Sequence, residues 1–183
     1  MIRKFFIASL IISNFTLAEY TNSNGKALEK PFKDLIKWVR SDVEPKLAQI
    51  DVSTEWQTIN LNEADNYIIW IGHSTFLIKK EGITILTDPV FSDRASPFKN
   101  IGPERLIPAA MSIDQLPKID FVTVSHNHYD HLDIKSLKEI SKLHPEAIFF
   151  VPIGDGKLLK RKRIRNVYEF NWWESYSTEG LTL

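Results

Sequence analysis

The stretch Ile119-Asp120-Phe121-Val122-Thr123-Val124-Ser125-His126-Asn127-His128-Tyr129-Asp130-His131 decides the fold. Its first six residues alternate little and are rich in β-branched and aromatic types, the signature of a strand buried on both faces. Beyond it, Asp133 is placed to cap a helix whose apolar residues Ile134, Leu137, Ile140 and Leu143 recur at three-residue steps. A buried strand, a short loop and an amphipathic helix make an α/β unit. Three of the five histidines of the chain fall within six positions of that loop.

Imidazole and carboxylate are ligands that zinc and iron accept. In an extended loop, side chains two apart point the same way. His126 and His128 could then grip one ion together, Asp130 continues the alternation, and His131 turns aside as the helix begins. That arrangement suits two adjacent metals better than one. A cluster of exposed polar loop residues is the plain alternative, and four ligand-type side chains at this density speak against it.

His126-x-His128-x-Asp130-His131 resembles the signature of the metallo-β-lactamase superfamily. Trp70-Ile71-Gly72-His73-Ser74-Thr75, Leu86-Thr87-Asp88-Pro89-Val90-Phe91-Ser92-Asp93-Arg94-Ala95-Ser96-Pro97, Ile101-Gly102-Pro103, Phe150-Val151-Pro152 and Asn171-Trp172-Trp173-Glu174 resemble one branch of it. That branch contains N-acylphosphatidylethanolamine phospholipase D and its bacterial relatives, and the likeness runs over about residues 66 to 174. It implies an α/β (α+β) fold, the αββα sandwich, with metals between two halves. It implies His126 and His128 on a first zinc ion and Asp130 and His131 on a second. By the same likeness Asp130 would be the catalytic carboxylate that also helps hold the attacking hydroxide, and Asp88 would orient the histidines by hydrogen bonding, a plain turn aspartate before Pro89 being the alternative. His73, on a turn between two strands, is expected behind the ligands or as a structural histidine. Two Zn2+ ions are implied per complete site, other divalent transition metals being the alternative. The implied reaction is hydrolysis of a lipid-type phosphodiester by a metal-bound hydroxide; a lactone or other ester is the alternative substrate.

The family also needs a third histidine, a bridging aspartate and a last histidine from the second half of the sandwich. Beyond His131 the chain has His144 alone, which reads as a helix-end residue ahead of Pro145. Residues 66–183 are therefore expected to be the N-terminal half of the domain. The chain by itself is expected to be inactive, to bind zinc weakly, and to expose one sheet face that drives self-association. A truncated chain, a fragment or one half of a split protein is expected, in the last case with the missing C-terminal half supplied by a partner. A non-catalytic remnant or interaction module is the competing reading.

The chain has 183 residues, no cysteine and equal numbers of cationic and anionic side chains. Disulfides and thiolate ligands are excluded, and no global field favours nucleic acid. Residues 1–18 have the basic start, apolar run and small-residue end of a signal peptide, with cutting after Ala18, so a bacterial periplasmic or secreted location is expected. Residues 19–65 read as linker and N-terminal helical extension, with a helix from Pro31. Strands are expected over 67–71, 76–79, 83–87 and 147–151, with a turn at Glu81-Gly82. Arg94 and Arg105, in the long connection 89–112, could hold a phosphate or pair with acids of their own loop. The basic run Lys157, Lys160, Arg161, Lys162, Arg163 and Arg165 reads as a solvated helix face, peripheral membrane contact being the alternative.

Overall fold

The computed structural model describes residues 52–183 apart from 99, 101, 179 and 180, together with 33, 34, 36 and 37. The expected signal peptide and most of the linker lie outside the described residues. Lys33, Asp34, Ile36 and Lys37, within the helix expected from Pro31, are helical and exposed.

Six strands form one sheet: β1 (Tyr67–Gly72), β2 (Thr75–Lys80), β3 (Ile83–Thr87), β4 (Phe121–Thr123), β5 (Ile148–Pro152) and β6 (Val167–Phe170), side by side in chain order. β1, β2 and β3 are antiparallel, and β3 to β6 are parallel. The β2–β3 turn, Glu81-Gly82, has positive φ at both residues (51° and 81°), the geometry that follows the twist of a two-residue hairpin. The parallel strands need crossovers: the long connection 88–120 joins β3 to β4, and helices α1 (Ile134–Leu143) and α2 (Gly156–Arg161) join β4 to β5 and β5 to β6. Asp133 caps α1: its carboxylate accepts from the Lys135 amide at 3.1 Å, the Ser136 hydroxyl at 2.6 Å and the Ser92 amide at 3.1 Å.

One sheet face packs on the helices. Ile69, Ile71, Leu77, Leu86, Val122, Phe149 and Val151 meet Leu137, Ile140 and Leu159 in one apolar cluster. Leu61 joins that cluster, and Tyr67 and Lys79 bond to carbonyls at 61 and 62. The packed unit thus includes residues ahead of position 66, within the stretch read as linker. On the other face Ile68, Trp70, Phe76 and Tyr168 are exposed, Ile68 at 71 %. Toward β4–β6 the Tyr176 ring lies over Phe121 and Phe150, leading into a small hairpin of β7 (Ser177–Thr178) and β8 (Leu181–Thr182). A mixed sheet with a helical layer on one face and an apolar, partly exposed face opposite agrees with the α/β class expected of the sandwich.

β6 was not among the expected strands. The basic residues around α2 are exposed while Leu159 and Ile164 are buried, as for a solvated helix face. No helix among the described residues is long and apolar enough to cross a membrane.

Candidate metal centre

The parallel strands β3 and β4 end on the same edge of the sheet. β1 runs parallel to β3, because β2 reverses between them, so the β1–β2 turn lies on that edge too. His73, Asp88 and the loop from Ser125 to Asp133 are thereby gathered from distant parts of the chain. The carboxyl edge of an open α/β sheet is where ligands ordinarily bind.

Asp88 organises this corner. It follows β3 with φ of 37°, its amide donating to the Thr123 carbonyl at 2.7 Å and its carbonyl accepting from the Thr75 hydroxyl at 2.7 Å. Its buried carboxylate accepts the Ser125 amide at 2.7 Å, the Ser125 hydroxyl at 2.8 Å and His131 Nδ1 at 2.8 Å. With Nδ1 engaged as donor, His131 presents the bare lone pair of Nε2 outward.

The expected ligands fall into two contacting groups. His126 Nε2 and His128 Nδ1 are 3.1 Å apart. Asp130 Oδ2 lies 3.6 Å from His131 Nε2 and 3.2 Å from His73 Nε2. The rings of His126 and His131 bring the groups together, with centroids 4.0 Å apart. Donors about 2.1 Å from one ion stand roughly 3.0–3.5 Å apart at ordinary angles, so these separations suit shared cations. Burial, with smaller contributions from His131 and His128 and opposed by Asp130 and Asp88, lowers the His126 pKa from its ordinary value and so favours the neutral form that a ligand needs. The donor set is nitrogen and oxygen only, which suits zinc and other borderline divalent metals.

One expectation is corrected. Strict alternation along the loop does not hold. His131 and Leu132 both donate to the His128 carbonyl, closing a turn that swings the His131 ring back beside His126 instead of away from it. His73, expected behind the ligands or as a structural histidine, directs its Nε2 at the Asp130 carboxylate.

Asn127, between the two histidines, donates to the buried Asp155 at 3.0 Å and so ties the loop to the start of α2. Burial raises the Asp155 pKa, the Asn127 bond opposing and the Glu169 charge adding to the rise. Reading the sequence missed this brace, since Gly154-Asp155-Gly156 reads only as a turn. Arg94 bonds to the Gly102 carbonyl and Glu104, and Arg105 to the Val90 carbonyl, so both serve the loop itself. His144 sits at the end of α1, its Nδ1 accepting from Ile119 ahead of β4, on the edge opposite the metal ligands.

Residues 67–183 match the Beta-lactamase superfamily domain. The chain is 43 % identical over 119 residues to N-acyl-phosphatidylethanolamine-hydrolyzing phospholipase D 1 of Caenorhabditis elegans, an overlap of 62 % of this chain and 33 % of that protein. To the mitochondrial N-acyl-phosphatidylethanolamine-hydrolyzing phospholipase D of Saccharomyces cerevisiae it is 38 % identical over 109 residues, 60 % of this chain and 23 % of that one. The chain thus spans a third or less of the length of these relatives. Among solved structures, a possible metal-dependent hydrolase from Veillonella parvula shares the fold, with a TM-score of 0.52 at 24 % identity over 64 % of this chain and 46 % of that one. With its sheet, its histidine loop and most of its length inside that domain, and with its similarity to N-acyl-phosphatidylethanolamine-hydrolyzing phospholipases D, the chain belongs to the metallo-β-lactamase superfamily.

Proposed function

We propose that these residues form the metal-binding half of a zinc-dependent phosphodiesterase of phospholipase D type, acting on a lipid phosphodiester in an exported bacterial protein. The observation that carries the reading is the convergence of His126, His128, Asp130 and His131 on one sheet edge, with Asp88 behind them. Similarity to two phospholipid-hydrolysing relatives supports the substrate class.

His126 and His128 would hold one cation, and Asp130 and His131 its neighbour. Zinc there would supply Lewis acidity, lowering the pKa of water and neutralising charge that builds on the phosphoryl oxygens. The protein's own residues do the rest. Asp88 fixes the His131 tautomer through Nδ1. Asp130, two-fifths exposed, faces solvent where a nucleophilic water must enter, and its carboxylate can orient that water and take its proton. The Asn127–Asp155 bond holds the loop backbone in register with α2.

The test is hydrolysis of N-acylphosphatidylethanolamine in mixed micelles by the whole protein carrying these residues, zinc-loaded and stripped. Zinc-dependent release of phosphatidate, abolished in His126→Ala, is the expected result. Opening of a fatty-acyl lactone without phosphatidate would replace this reading with the ester alternative. Turnover that survives complete metal removal would refute both.

A further inference from the structure

His73 occupies the first position of the two-residue β1–β2 turn, with φ of 50°. Such turns favour glycine, asparagine or aspartate, and a bulkier residue there takes up a backbone conformation that side chains disfavour. The turn is held by more than its own hydrogen bonds, since the Trp70 indole N–H donates to the His73 carbonyl at 2.9 Å. The ring is aimed at Asp130. His73 Nε2 is 3.2 Å from Asp130 Oδ2, and the His73 and His131 rings meet edge to face at 5.2 Å. All three donor atoms lie within 4.8 Å of one another. Both His73 and Asp130 are substantially exposed, 51 % and 40 %. An exposed pair of this kind contributes little to stability, too little to explain a turn histidine at positive φ aimed at a carboxylate. A shared cation explains it.

We infer that His73 is a direct ligand, completing with Asp130 and His131 a divalent-cation site whose three donors all come from this chain. The inference rests on the reading of Asp130 and His131 as metal ligands given above. It makes one of the two cation positions independent of any histidine beyond residue 131. His131 is already oriented for that role by Asp88, and His73 by the backbone of its turn.

The experiment uses the full chain, labelled with 15N-histidine and titrated with 113Cd2+, a spectroscopically visible stand-in for zinc. One-bond cadmium–nitrogen coupling at His73 Nε2, together with coupling at His131 Nε2, is the expected result. Coupling at His126, His128 and His131 with none at His73 would overturn the inference and leave the proposed function standing. Absence of coupling at every histidine in the presence of saturating cadmium would overturn both. As a second measurement, His73→Asn retains a residue that tolerates positive φ and removes the imidazole. It should weaken cobalt binding at one position roughly tenfold or more, with an unchanged unfolding midpoint in the metal-free state. Unchanged cobalt affinity would also overturn the inference.

Discussion

Replacing Asp88 by asparagine separates what the carboxylate does for the fold from what it does for a metal. In the native structure it accepts three hydrogen bonds, from the Ser125 amide, the Ser125 hydroxyl and His131 Nδ1, at 2.7, 2.8 and 2.8 Å. Asparagine keeps an oxygen for the Ser125 amide. Its NH2 group must then face the Ser125 hydroxyl, which can turn to accept, and His131 Nδ1. That nitrogen can accept only if the imidazole proton moves to Nε2. A hydrogen bond to a charged partner contributes about 1.5–3 kcal/mol against about 0.5–1.5 for a neutral one. Three downgraded bonds therefore cost about 2–3 kcal/mol of stability, less than their sum if the corner relaxes. The tautomer change is the larger consequence for function, because it puts a proton where His131 Nε2 must offer a lone pair. Loss of such an orienting group costs about 10–100-fold in metal affinity, about 1.4–2.7 kcal/mol. Urea denaturation without metal measures the first quantity, and zinc competition against a chromophoric chelator the second. A variant that loses stability yet keeps zinc affinity within about twofold would show that Asp88 only braces the Ser125 backbone, and the tautomer argument would be wrong.

Asp133→Ala removes the α1 cap together with the anchors of Ser92 and Ser136, and should cost about 2–3 kcal/mol in urea denaturation; a loss under about 0.5 kcal/mol would contradict the capping account. Leu137→Ala hollows the fully buried contact between α1 and the sheet and should cost about 2–5 kcal/mol by the same measurement. Burial holds the His144 imidazole below its ordinary value. The unfolded chain therefore takes up this proton first, so the contribution of His144 is fully present above about pH 6.5 and declines as pH falls through its folded value. His144→Asn should flatten the loss of stability between about pH 7 and 5, and an unchanged acid limb would show that other groups govern it.

Much of the fold was legible in the sequence, for physical reasons. β-branched runs marked β1 to β5, and Glu81-Gly82 marked a turn that needs two positive φ angles. Asp133 and the apolar residues after it marked α1. A three-residue step, however, lags the helical repeat by about 60° each time, so Leu143 ends half a turn from Ile134 and is half exposed, while Leu137 and Ile140 are fully buried. β6 escaped notice because Val167-Tyr168-Glu169-Phe170 is short and sits between a basic run and two tryptophans. In the site, the ligand types could be read from spacing and family likeness, but their directions could not. The turn closed on the His128 carbonyl overrides alternation, and only the pairing of β1 with β2 and β2 with β3 brings His73 beside Asp130. Asp155 had no signal at all, since burial of a turn aspartate depends on what packs over it.

The unbroken spatial succession of the six strands has a consequence for how the protein is made. Each strand, on leaving the ribosome, finds its partner in the one just completed, so no strand waits for a distant mate and every closure spans the shortest stretch of polypeptide the connections allow. The meander bearing His73 and Asp88 exists before the histidine loop is translated. That loop is therefore delivered onto a surface already shaped to receive it, and the ion-holding corner is assembled from its earliest residues to its latest.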